Sequence, residues 1–117
     1  MLSIDIRALG FSLSDALGRH VTARLEHVLG PFARRIVMVA ARLEDVNGDH
    51  GGIDKRCRVV VTLRRGNVIV AEATDQDMYV AVDKVAARIR RSVKRAVTRH
   101  LHRQRNDRQR LGALVAI

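Results

Sequence analysis

The chain has 117 residues, with 22 lysine and arginine residues against 12 aspartate and glutamate residues, and a formal net charge of +10 at pH 7. This length allows one domain with a modest core, and a single cysteine excludes a disulfide framework or a paired-cysteine metal site. Such a positive charge indicates a polyanionic partner, either nucleic acid or an anionic membrane surface, unless it serves solubility alone.

The N-terminal half predicts a strand, a helix and a second strand. Apolar and polar residues alternate over 2–6, which is typical of a half-buried strand. Ser14 can cap the following helix, whose apolar residues recur at helical spacing until Gly30 and Pro31 end or bend it. Residues 36–44 predict the second strand, and residues 45–54, with three glycines, predict a flexible loop.

The C-terminal half predicts a hairpin and a long helix. Residues 57–64 and 68–74 form two strands joined by a tight turn. The last helix begins near residues 75–77, where carboxylates suit a helix N-terminus, and its apolar residues recur every three or four positions up to Leu101. Its apolar end, residues 110–117, is interpreted as either loose or docked on a partner.

The order β-α-β-β-β-α predicts an α+β fold, a single two-layer domain with two helices packed on one face of a four-stranded sheet. We assign residues 1–103 to this domain, and residues 104–117 to a C-terminal extension that is first basic and then apolar.

The positive charge is concentrated in one segment. Residues 84–110 hold eleven basic residues and one acidic residue, Asp107, so this segment carries the net +10 of the whole chain. The other residues carry eleven basic and eleven acidic side chains, which cancel. The sequence therefore predicts a neutral body and one polycationic helix.

Part of this charge falls on one helix face, because side chains three or four residues apart share a face. The row opposite the apolar stripe consists of Lys84, Arg88, Arg91, Arg95, Arg99 and His102. Like charges at this spacing weaken a helix by roughly 0.2–0.5 kcal/mol per pair. A solvated face is the plain alternative, but repeated arginine favours phosphate binding, since a guanidinium group can hold phosphate through two hydrogen bonds.

RNA is the favoured polyanion. A membrane-surface helix needs bulky apolar residues free to enter lipid, whereas the valine, alanine and isoleucine residues of this helix are needed to cover the sheet. A DNA-reading helix usually carries Asn, Gln or Ser among its basic residues, while repeated arginine suits RNA backbone and shape. The sequence has neither a membrane-spanning run nor a signal peptide, so we expect a cytoplasmic protein without membrane contact.

Catalysis has no visible basis in the sequence. The histidine pairs His20 with His27 and His100 with His102 lack a cysteine or carboxylate that would complete a metal-ligand set. No nucleotide-binding glycine motif, catalytic triad or paired carboxylates can be recognised. We therefore expect no enzyme activity, no metal, no cofactor and no small-molecule substrate.

Two short motifs carry a family resemblance. Residues 77–83 (DMYVAVD) are similar to the D-x-Y-x-A-I-D signature that opens the last helix of one family, and residues 14–17 (SDAL) stand where its members carry T-x-A-L. With the Met-led first strand and the predicted element order, residues 1–103 resemble the ribosome hibernation-promoting factor and ribosome-associated inhibitor family in its short form. Its members are also known as ribosomal subunit interface or sigma-factor modulation proteins.

The resemblance implies a translation inhibitor that occupies the mRNA and tRNA channel of the small ribosomal subunit, against 16S-type rRNA. Such a protein stabilises inactive ribosomes under stress or in stationary phase. Matches to the family's basic positions, with Lys84 from the row derived above, give this expected rRNA-binding set: Arg24, His27, Lys84, Arg88, Arg91, Arg95 and Arg99. Tyr79 and Asp83 are expected to hold the start of the last helix against the sheet.

Two other functions stay open from the sequence. One is a general module for structured RNA, and the other is a protein-interaction module that docks through the apolar residues 111–117. Self-association is open as well, and so is whether the protein pairs inactive ribosomes or locks single ones.

Overall fold

Four strands and two helices follow one another in the predicted order in a computed structural model, which describes residues 2–46 and 54–115, with side chains up to Leu111. The elements are β1 (Ile4–Leu9), α1 (Asp15–Leu29), β2 (Ile36–Asp45), β3 (Lys55–Leu63), β4 (Val68–Asp75) and α2 (Met78–Val115). A 3-10 helix, Gly30–Arg35, follows α1 at the predicted Gly30-Pro31 break. Of the predicted loop 45–54, residues 47–53 lie outside the described part of the chain.

The strands form one sheet in the order β1-β2-β3-β4. β1 and β2 are parallel and are connected by α1, as a parallel pair requires a crossover. β2, β3 and β4 pair antiparallel, so β4 is an edge strand. Both helices pack on one face of this sheet, which confirms the predicted α+β fold.

The core lies between that face and the helices. The register aligns inward side chains across the strands: Val39 lies opposite Val61, and Val61 opposite Ile69. From α2, residues at helical spacing cover them, and these are fully buried: Val82, Val85, Ala86, Ile89 and Val93. Cys57 is also buried in this core, and its burial raises the thiol pKa to about 12. It is therefore a small core side chain with an unreactive thiol.

Local capping fixes where each helix begins. The Ser14 hydroxyl accepts a hydrogen bond from the Leu17 amide at 3.1 Å, which satisfies a free N–H in the first turn of α1. Before α2, the Asp75 carboxylate accepts from the Asp77 amide at 3.0 Å, and the Asp77 carboxylate accepts from the Tyr79 amide at 2.8 Å. These bonds orient the start of α2 and so set the faces that its later residues present.

α2 is longer than the sequence predicted. Its 38 residues span about 57 Å at about 1.5 Å per residue, in a molecule with extents of 70 × 26 × 19 Å. Docking of residues 110–117 on a partner stays a prediction, but residues 110–115 continue the helix and Leu111 is exposed. The reason is local, because residues 102–111 contain neither proline nor glycine. No helix within the described ranges is long and apolar enough to cross a membrane.

A glycine at the end of β1 makes one close approach that a side chain would block. Gly10 has φ +85°, and a Cβ there would lie 2.9 Å from the Asp45 carbonyl oxygen. We expect Gly10→Ala to lower the free energy of unfolding by about 1–3 kcal/mol, measured by urea denaturation. Gly30→Ala is the matched control, because Gly30 is right-handed with open space around it and should gain up to about 1 kcal/mol. Equal effects of the two substitutions would contradict this account.

Candidate nucleic-acid interface

The outward face of α2 carries three arginines that have no internal partner. Arg91, Arg95 and Arg99 are exposed, and none forms an ion pair or side-chain hydrogen bond with another described residue. They follow one another at four-residue steps, about 6 Å apart along the axis. We call these three residues the arginine stripe. The helix beneath them is held by its buried side, so their spacing is fixed before any ligand binds.

The two predicted residues that precede the stripe are engaged within the fold. The Lys84 ammonium lies 2.7 Å from Asp75 Oδ2 and 3.5 Å from the Thr74 carbonyl oxygen. Arg88 donates to the Glu72 carbonyl oxygen at 2.6 Å. Both side chains thus bond to backbone groups of the edge strand β4. Asp75 neutralises the charge of Lys84, whereas a carbonyl leaves the charge of Arg88 available.

The Lys84 contact should be measurable through its partner. Bonds from Lys84, then from the Asp77 amide, lower the pKa of Asp75. A lowered carboxyl pKa stabilises the fold above the ordinary carboxyl pKa, and this contribution is lost as pH falls through the folded value. We expect Lys84→Ala to raise the pKa of Asp75 in an NMR titration. The decrease in the free energy of unfolding between neutral and acidic pH should then be smaller than in the native protein. Arg91→Ala should leave the Asp75 titration unchanged, and an equal shift in both variants would refute the contact.

The predicted residues on α1 lie on a different side of α2. Arg24 Nε lies 3.1 Å from Asp83 Oδ1, but its N–H is not aligned for a hydrogen bond, so the contact is a charge attraction. His20 Nε2 lies 2.9 Å from the same oxygen, and its ring centroid is 5.0 Å from that of Tyr79. Asp83 and Tyr79 therefore hold the start of α2 against α1, whereas the sequence analysis expected them to hold it against the sheet. His27 is exposed in the last turn of α1.

The predicted residues thus comprise the exposed stripe, three residues with partners within the fold (Arg24, Lys84 and Arg88) and exposed His27. Arg91 and Arg95 follow Lys84 by seven and eleven residues, so they lie nearly in line with it along α2, on the β4 side. Asp83, which binds Arg24, faces α1. Within the described part of the chain, no group of three or more His, Cys, Asp or Glu side chains could hold a metal ion.

Sequence spacing missed a second basic cluster. Arg34 and Arg35 directly precede β2, and Arg64 and Arg65 directly follow β3. Because β2 and β3 are antiparallel neighbours, the start of one meets the end of the other, and all four arginines gather at that end of the sheet. The only signal in the sequence is the pair of Arg-Arg dipeptides beside two strands, which has no meaning until the strands are paired.

Comparisons with known proteins agree with this architecture. The N-terminal domain of Protein Y from Thermus thermophilus is 22% identical, with a TM-score of 0.67, over 81% of this chain and 98% of that one. A ribosomal subunit interface protein from Coxiella burnetii is 24% identical, with a TM-score of 0.68, over 82% of this chain and 99% of that one. At these identities the likeness is one of fold. No curated protein sequence matches the chain.

A family model described as Sigma 54 modulation protein / S30EA ribosomal protein matches residues 4–101. The match covers the whole sheet, α1 and the arginine stripe. It ends before residues 102–115, the last part of α2, which we call the C-terminal arm. The resemblance carried by the two sequence motifs is confirmed, and the chain belongs to the Sigma 54 modulation protein / S30EA ribosomal protein family.

Proposed function

We propose that this chain is a ribosome-binding translation inhibitor that occupies the mRNA and tRNA channel of the small ribosomal subunit and stabilises inactive ribosomes under stress. The observation that carries the proposal is the arginine stripe. Its three guanidinium groups are exposed, evenly spaced and without a carboxylate partner in the described residues. Family membership supports the ribosome as the source of the phosphate groups that they bind.

The stripe suits phosphate because its geometry is set in advance. Ile89 and Val93 are fully buried on the opposite side of α2, so the helix cannot roll without breaking the core. Binding then requires no rearrangement of the helix, and each planar guanidinium can form two charge-assisted hydrogen bonds with one phosphate. Such contacts read the shape and backbone of RNA rather than its sequence.

The contacts within the fold indicate how much each of the other expected residues should contribute to binding. Arg88 keeps a net charge beside its carbonyl acceptor, and exposed His27 can add to the surface without breaking a bond. Arg24 and Lys84 must share or leave a carboxylate before they hold phosphate. We therefore assign the largest contributions to the stripe, smaller ones to Arg88 and His27, and the smallest to Arg24 and Lys84.

Occupying the channel requires no catalysis. A bound domain excludes mRNA and tRNA by its volume, so the proposed role is non-enzymatic, without a cofactor, and lies in the cytoplasm with the ribosomes. Since phosphate contacts release counterions, binding should weaken steeply as salt is raised.

Co-sedimentation tests this function. The protein should migrate with purified small subunits on a sucrose gradient, and should be excluded from subunits loaded with mRNA and tRNA. It should also inhibit translation in a purified system. Equal binding to loaded and empty subunits would contradict occupation of the channel. Equal competition by a naked hairpin RNA would instead support the general module for structured RNA.

A further inference from the structure

A second cationic surface lies where the 3-10 helix, the β3–β4 turn and α2 meet. A cavity of about 320 Å³ opens there. Four arginines and one histidine line it, namely Arg34, Arg35, Arg64, Arg65 and His100. No acidic side chain lines it, and none of its arginines forms an ion pair with any residue in the described ranges.

The two arginine pairs are held together by the backbone. The Arg64 amide donates to the Arg35 carbonyl oxygen at 2.8 Å. The Arg64 side chain donates through Nε to the Arg34 carbonyl oxygen at 2.7 Å. These bonds place like charges side by side without a carboxylate to offset their repulsion. Guanidinium donors gathered around an open cavity are an arrangement that can bind an oxyanion.

Two residues of the cavity lining have unusual surroundings. Arg65 has φ 104° because it is the third residue of a turn that the Gly66 amide closes by donating to the Leu63 carbonyl oxygen at 3.1 Å, and glycine would fit there without strain. His100 Nε2 is buried and has no hydrogen-bond partner among the described residues, and a buried unpaired nitrogen requires an explanation. A phosphate in the cavity would be bound by the guanidinium groups that line it, beside the ring of His100.

The cavity adjoins the stripe. A neighbouring cavity shares His100 and Asn67 with it and is also lined by Arg99, the last residue of the stripe, and by Arg103 of the arm. The cationic surface therefore continues from the outward face of α2 around to the end of the sheet. One RNA strand on the stripe can place a further phosphate in this cavity.

We propose that this cavity is a phosphate-binding site that takes a backbone phosphate of the same RNA that binds the stripe. The partner rests on the proposed ribosome-binding function, whereas the phosphate chemistry rests on the cavity itself. Inorganic phosphate has the same chemistry as a phosphate of the RNA backbone. The test below therefore includes both ligands.

The test uses two double variants. The first combines Arg35→Gln and Arg65→Gly in the cavity. The control combines Arg42→Gln and Arg58→Gln, which removes the same charge from the open face of the sheet. Affinity for purified small subunits is measured against salt. Removing two phosphate contacts should weaken binding about 100-fold, and should reduce the slope of log affinity against log salt by about 1.4–1.8. The control variant should change the affinity and the salt slope much less. Arg65→Gly also removes the strained conformation, so lost binding with unchanged thermal stability excludes misfolding.

A direct readout follows the His100 ring by NMR in the native protein during titration with a short duplex RNA or with inorganic phosphate. A shift with RNA that is absent in the double variant supports the site. A shift with inorganic phosphate alone assigns the site to free phosphate and overturns the RNA assignment, and the absence of a shift with either ligand overturns the site.

If the double variant binds subunits as the native protein does, this inference fails and the proposed function stands. If the native protein binds no subunits but duplex RNA shifts His100, the proposed function fails and the site stands.

Discussion

Replacing Arg91, Arg95 and Arg99 with glutamine should abolish binding to small ribosomal subunits without unfolding the protein. Each exposed guanidinium is available for phosphate, and a hydrogen bond to a charged group contributes about 1.5–3 kcal/mol. Loss of three such contacts should lower affinity by a factor of at least about 1000 and reduce the salt slope by about 2–3. The free energy of unfolding should change by no more than about 0.5 kcal/mol, because the three residues are exposed and have no partner among the described residues.

The control must remove the same charge from another surface. Arg7, Arg42 and Arg58 lie in one row across β1, β2 and β3, on the open face of the sheet away from the helices. Glutamine at these three positions should reduce only long-range attraction and retain most of the affinity for subunits. Equal losses in the two triple variants would show that net charge determines binding. Native affinity of the stripe variant would refute the site.

Much of the fold could be predicted because its signals are local. The period-two spacing of Cys57, Val59, Val61 and Leu63, with Arg58 and Thr62 between them, predicts a strand. The spacing of Val85, Ile89 and Val93 predicts a helix. The strand order and the parallel pairing of β1 with β2 depend on contacts between distant segments. The length of α2 was underestimated for another reason: the apolar pattern ends near Leu101, while good helix formers continue beyond it.

The candidate site also has a part that could be predicted from local sequence and a part that could not. Exposure of the arginine stripe follows from helical periodicity alone, so the sequence could predict it. The ion pair of Lys84 with Asp75 joins a helix to the end of a strand, and that of Arg24 with Asp83 joins two helices. Such partners follow from tertiary packing and not from spacing. For that reason the sequence predicted seven binding residues as one set. The structure separates the stripe and exposed His27 from Arg24, Lys84 and Arg88, which have partners within the fold.

Ending the chain after Leu101 should weaken binding to subunits and leave the fold unchanged. Up to Leu111, no residue of the C-terminal arm is buried, and the last buried residue of α2 is Val97. The free energy of unfolding should therefore change by no more than about 0.5 kcal/mol. The truncation removes four arginines and leaves the family-matched residues intact. If the arm lies along RNA, the salt slope should fall by up to about 3.

A second truncation, after Arg110, separates charge from the apolar end. It keeps all four arginines of the arm, namely Arg103, Arg105, Arg108 and Arg110, and removes only residues 111–117. If phosphate contact is the role of the arm, this chain should bind subunits as the full chain does, measured on the same gradients across salt. Equal losses from the two truncations would instead assign binding to the apolar end, as a protein-interaction module requires. Up to Leu111 the arm has no buried residue, and it is helical because α2 has already nucleated the helix. Either truncation therefore shortens α2 without disturbing the domain that positions it.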